Sequence, residues 1–254
     1  VGVLSVTPPH DPFEAPERNG RFDPDRLQLR RNVPPVSRVE QTARKQLAGY
    51  YAQIENLDDN VGKIVSMIDE MDCWDETLLL VVSDHGDCMG SHGYFRKSSP
   101  WKEAVQIPCL VAGAGIAPGT VSDAPLNSPD LAPTTLGLCG LPVPDWMAGQ
   151  DLSAWTPESP RQSSLLQQVS AKSFQCLSGT WRGLRRNDGW KYVVHEGHPW
   201  LLVNLAEDPY ELANLAFQPE YADRRRELHD QLQRELQAVG DAYPMAPRDA
   251  VIAV

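Results

Sequence analysis

Residues 83–97 read SDHGDCMGSHGYFRK and follow the apolar run TLLLVV directly. Two acids, two histidines, three glycines and a lysine fall within fifteen positions. A carboxylate beside an imidazole, as at Asp84 and His85, can share one divalent cation, and Gly86 lets the backbone turn sharply beneath the pair. Lys97 adds a positive charge a few residues on. Together these are groups that bind cations and anions. On the tripeptide alone, an ordinary strand exit capped by Asp84 accounts for the pattern better. A solvated loop lysine likewise accounts for Lys97 taken by itself.

These residues have to be held by something. Thr77 to Val82 is leucine-rich and does not alternate, which predicts a strand buried on both faces, as in a parallel sheet covered by helices. Asp84 and His85 then fall at its C-terminal end, where open α/β sheets bind ligands. Upstream, apolar residues from Leu47 to Met71 recur at helical spacing and predict a long amphipathic helix starting near Ser37. The adjacent Asp58 and Asp59 point in different directions on such a helix and read as a solvated face or a packing contact. AVQIPCLVAG predicts a second buried strand. NSPDLAPTTLGLCG predicts a helix from about Ser128 to Gly140. Val3 to Val6 predict a short strand ended by TPPHDP.

The pattern changes after the proline-rich TPESPRQ near residue 160. TWRGLRR, GWKYVVH and WLLVNL predict three antiparallel strands, the first two joined by a turn at NDG. A last helix, from about Pro219 to Val239, carries Leu228, Leu232 and Leu236 on one stripe, with Arg224–Arg226 on its wet face. The expected division is 1–160 for an α/β layered core and 161–254 for a small antiparallel sheet with a helix.

Composition narrows the function classes. The net charge of −11, with basic residues scattered, argues against nucleic acid as the main partner. An anionic substrate then requires a local positive site. No apolar run approaches the length of a membrane span. Cys73, Cys88, Cys109, Cys139 and Cys176 are odd in number and form no CxxC pair, against a disulfide framework or a structural zinc site. They lean toward the cytoplasm, with a periplasmic or secreted setting left open. The sequence opens at Val1 on an apolar run, so the expectation is a chain that begins within a domain.

Taken whole, SDHGDCMGSHGYFRK followed by SSPWKEAVQIPCLVAG resembles the sulfatase family of the alkaline-phosphatase-like superfamily. The shared pattern is Ser-Asp-His/Asn-Gly, Gly-x-His-Gly, a lysine four residues later and a proline opening the next strand. Here these positions are Asp84, His85, Gly86, Gly90, His92, Gly93, Lys97 and Pro108. TPPHDPFEAPE is similar to the family's substrate loop, YYAQIENLDDNVGKIVSMID to its long helix, and LLVNLAEDPYELANLA to its tail signature. The resemblance implies an alkaline-phosphatase-like core with a largely parallel sheet and a small C-terminal α+β subdomain. It implies metal ligation by Asp84 and His85, and it places His10 and Lys97 on the sulfate and its leaving oxygen as catalytic and substrate-binding groups. His92 would shape the loop. One divalent cation is implied, calcium first, with manganese, magnesium or zinc as alternatives. The substrate would be a small-molecule or glycan sulfate ester.

Family enzymes use a formylglycine matured from Cys/Ser-x-Pro/Ala-x-Arg, and an N-terminal Asp-Asp pair after the first strand supplies the other metal ligands. Neither stands in these residues: the expectation is the C-terminal portion of a sulfatase, inactive without its N-terminal part. A phosphonate monoester or phosphodiester hydrolase on the same scaffold is the alternative enzyme. A non-catalytic fragment or degenerate binding protein is the alternative outside enzymes.

Overall fold

The computed structural model describes residues 1–170 and 177–250, so Cys176 lies outside the described residues. The chain forms two compact units. One comprises Val1–Val81, Asp87–Phe95 and Leu110–Ile116, the other Val82–Gly86, Arg96–Cys109 and Ala117–Val254.

The first unit is built on the predicted long helix, α1 (Ser37–Glu70). Its buried face is small: Ala43, Ala48 and Ala52 let other chain segments approach closely. Gln53 holds the preceding loop by donating from Nε2 to the carbonyls of Pro12 (2.9 Å) and Glu14 (3.0 Å). Gly49 must lack a side chain, because a Cβ there would stand 2.3 Å from the Phe13 carbonyl oxygen. Phe13 meets Tyr50 edge-on, and Phe22 meets Tyr51 in the same way. Asp59 accepts a 3.4 Å hydrogen bond from Asn19 while staying exposed, a packing role rather than a ligand's.

Strands β1 (Leu78–Val82) and β2 (Cys109–Gly113) form a two-stranded sheet. The Ala114 amide donates to Thr77 O at 3.0 Å, so the end of β2 lies beside the start of β1. Both strands stand where the sequence put them, but neither is buried as expected. β1 is half-buried with Val82 exposed, and Leu110 of β2 is 64% exposed. The expected strand at Val3–Val6 is absent: the segment is irregular, with Val3 90% exposed. Apolar sequence supplies a strand's side chains, whereas its backbone bonds and its cover must come from neighbouring segments.

The second unit contains the four-residue helix α2 (Lys102–Val105) and helix α3 (Leu131–Leu138). Before α3, Asn127 and Asp130 form a reciprocal cap around Ser128–Asp130. Four antiparallel strands follow in sequence order: β3 (Ser163–Gln168), β4 (Trp181–Arg186), β5 (Trp190–His195) and β6 (His198–Asn204). β3 is the strand that sequence reading missed, its serines and glutamines hiding the pairing. Gly189 closes the β4–β5 turn at φ 93°, which only glycine adopts without strain. Helix α4 (Ala222–Ala238) lays Leu228, Leu232 and Leu236 against Leu184, Tyr192, Val194 and Leu202. The expectation of a uniformly wet Arg224–Arg226 fails at Arg225. It is 7% exposed and donates to Ala216 O at 2.6 Å, tying the 205–218 loop to the helix.

Tyr192 Oη is hydrogen-bonded to Nδ1 of the buried His229 at 2.9 Å. Burial holds the His229 pKa below its ordinary value. Asp230 and a backbone bond at Ala246 oppose that shift, while Arg248 and Arg225 reinforce it. A depressed folded-state value means the unfolded chain binds the proton first on acidification. Stability is therefore expected to fall as pH drops below about 6.5, the ordinary histidine value. Melting temperatures across pH 5–8 check this, and His229→Gln should flatten the profile.

Candidate active site

The turn after β1 is organised by its own side chains. Ser83 Oγ donates to His85 O at 2.8 Å, and the His85 amide donates to Asp84 Oδ1 at 2.9 Å. His85 Nδ1 lies 2.9 Å from Gly86 O, a contact in which Nδ1 donates, so the neutral ring presents its lone pair at Nε2. That Nε2 is 3.6 Å from Asp84 Oδ2. The Asp84 side chain is 87% exposed and that of His85 31%. A carboxylate and an imidazole in its metal-binding tautomer, with a carbonyl holding the ring, fit one divalent cation. Asp84 and His85 would hold it. A mixed oxygen and nitrogen donor pair suits manganese or zinc as well as calcium.

Gly86 anchors this turn. Its amide donates to Ala104 O at 2.9 Å, and a Cβ there would stand 1.9 Å from Glu103 O. Lys97 lies in the same unit and is half-buried. Its neighbours Arg96 and Ser98 have φ of 72° and 71°, left-handed backbone that costs a side-chain-bearing residue about 1–2 kcal/mol each. Strain on both sides of one lysine is a feature of segments whose geometry is set from outside.

The other two candidate histidines, His10 and His92, belong to the first unit. His10 sits in the proline loop, with Nδ1 3.0 Å from both the carbonyl and the carboxylate of Asp11. His92 has φ 54°; its amide donates to Asn32 O at 2.7 Å and its Nε2 lies 3.2 Å from Asn32 Nδ2. His92 thus ties its turn to the 27–36 loop. Structure brings Asp84 and His85 together and keeps Lys97 in their unit, while His10 has its surroundings in the other.

Sequence reading assigned nothing to Lys191 or Glu211, which form an ion pair with side chains 1% and 0% exposed. Lys191 stands beside Trp190 and Tyr192 on a strand. Alternation places Lys191 on the face opposite Trp190, Tyr192 and Val194, so its burial left no signal in the letters.

A family model described as Sulfatase matches residues 3–141, and one described as N-sulphoglucosamine sulphohydrolase, C-terminal, matches residues 90–238. The ulvan-active sulfatase of Formosa agariphila is 31% identical over 253 residues, covering 96% of this chain and 49% of that protein. The chain thus spans about half the length of this curated relative. Among solved structures, the sulfatase-like yidJ protein of Bacteroides fragilis superposes with a TM-score of 0.79 at 26% identity, over 93% of this chain and 53% of that one. A phosphonate monoester hydrolase of Agrobacterium radiobacter shares the fold, with a TM-score of 0.70 at 24% identity over 91% and 55%. A family match across more than half of the chain, in the segment that carries the Asp84–His85 turn and Lys97, makes this chain a member of the sulfatase family, with the alkaline-phosphatase-like fold.

Proposed function

We propose that the protein hydrolyses a sulfate monoester of a small molecule or glycan, with one divalent cation held in part by Asp84 and His85. The observation that carries this reading is the Asp84–His85 turn, where a carboxylate and an imidazole lie 3.6 Å apart at the end of β1. When bound, the cation neutralises charge on the ester's transferring group and lowers the barrier to attack on it. Calcium is the first choice.

The nucleophile, a formylglycine, would stand with the remaining ligands outside these 254 residues, since no Cys/Ser-x-Pro/Ala-x-Arg occurs within them. In hydrolysis the ester S–O bond breaks, water's oxygen ends on sulfur and the alcohol oxygen gains a proton. Lys97 supplies positive charge where that oxygen becomes negative, the role we assign it. A local ammonium and cation reconcile anion binding with a net charge of −11.

The test is hydrolysis of an aryl sulfate by the full-length protein with calcium, manganese, magnesium or zinc, beside Lys97→Met. The variant is expected to lose about 10²-fold or more in kcat. An unchanged kcat in Lys97→Met removes the lysine from the mechanism. The shared fold with a phosphonate monoester hydrolase supports a second reading on the same residues, and faster cleavage of an aryl phosphonate ester than of the sulfate would favour it.

A further inference from the structure

The Lys191–Glu211 pair grips the segment that leads out of Lys97. Lys191 Nζ donates to Pro100 O at 2.6 Å and stands 5.9 Å above the Trp101 ring. Glu211 Oε2 accepts from the Lys102 amide, the first of α2, at 2.6 Å. Glu211 does so from a left-handed backbone, φ 56°. On the neighbouring strand β4, Trp181 Nε1 donates to Ser98 O at 3.3 Å. Three bonds from the antiparallel sheet and its following loop therefore converge on residues 98–102. Two residues further on, Ala104 O accepts the Gly86 amide at 2.9 Å, the bond that anchors the Asp84–His85 turn.

Burying this pair is costly for its charges. Desolvation drives the Lys191 pKa down against the pull of Glu211 and Glu103. Apolar residues of similar volume generally serve stability as well or better than a buried ion pair. What they lack is direction: an ammonium on one carbonyl and a carboxylate on one amide set the place and the angle of the segment between them.

We propose that Lys191 and Glu211 are positioning residues for the active site. They fix Pro100–Lys102, so that α2 presents Ala104 O to Gly86 and thereby sets the turn bearing Asp84 and His85 and the loop bearing Lys97. The C-terminal sheet is then the jig for the site, as well as the core of its own unit. This proposal rests on the reading of those three residues given above.

The decisive variant is the double Lys191→Met/Glu211→Leu in the full-length protein, which removes the directional bonds and keeps the volume. Its melting temperature is expected to stay within a few degrees of wild type. The Gly86 amide is expected to exchange with deuterium at least tenfold faster, manganese affinity to fall about 10- to 100-fold, and kcat on an aryl sulfate to fall more than KM rises. A folded double variant with wild-type Gly86 exchange and wild-type manganese affinity overturns the proposal, leaving the pair a packing element. If the double variant does not fold, Glu211→Gln carries the same readouts, at a temperature where the β3–β6 amides remain protected. Wild-type protein that binds no cation and cleaves neither ester would defeat the functional reading alone, because Gly86 exchange in the variants still decides the positioning claim.

Discussion

Replacing Asp84 with alanine is expected to weaken divalent-cation binding at least about 100-fold and to cut ester hydrolysis by roughly 10²–10³-fold, with little change in stability. The reasoning starts from exposure. The Asp84 side chain is 87% exposed, so removing it opens no cavity and strands no buried partner except the amide it caps. It accepts from the His85 amide at 2.9 Å, and losing that bond could disturb the turn by itself. Asp84→Asn separates the two roles. The amide oxygen still accepts from His85, while the negative charge that a cation needs is gone. If Asp84 is a ligand, both variants lose cation affinity to a similar degree in titration calorimetry. If it is only the cap of the turn, the asparagine variant binds and hydrolyses like wild type, and the metal assignment of Asp84 and His85 falls with it.

The second large effect is on stability. Leu232→Ala should cost the protein about 2–5 kcal/mol, read from the shift in urea midpoint at constant m. Leu232 is fully buried in the cluster where α4 meets β4, β5 and β6, among Leu184, Tyr192, Val194, Leu202 and Leu228. Close packing on both sides lets the hole collapse only in part, so the loss exceeds the transfer free energy of the missing methyls. Against a total stability of about 5–15 kcal/mol, that is a large fraction. Leu110→Ala is the matched control: the residue is 64% exposed, and its truncation should change stability by less than about 0.5 kcal/mol. A Leu232→Ala shift no larger than the control's would mean that α4 does not carry this core.

The division between what was legible and what was not follows the range of the forces involved. Leucines at helical spacing placed α4, and a non-alternating apolar run placed β1, because periodicity records which side chains share a face. The Asp84–His85–Gly86 turn was legible for a similar reason: its donors are neighbours in the chain, and the turn that aims them is local. Burial of β1 and β2 was misjudged, and so was the strand expected at Val3–Val6, since cover and pairing come from segments that a local pattern does not contain. Arg225 read as wet because helical position alone does not reveal a carbonyl waiting at Ala216.

By itself, then, the sequence determined the helices α1, α3 and α4, most of the strands, the family and the Asp84–His85–Gly86 turn. Only the tertiary structure decided how that turn is held. The Gly86 amide reaches Ala104, and the segment before Ala104 is pinned by Lys191 and Glu211, residues about ninety to over a hundred positions away whose partners are backbone atoms. A backbone carbonyl or amide is the same at every residue. Bonds of this kind therefore leave no signature in the letters, and three-dimensional proximity alone makes them visible.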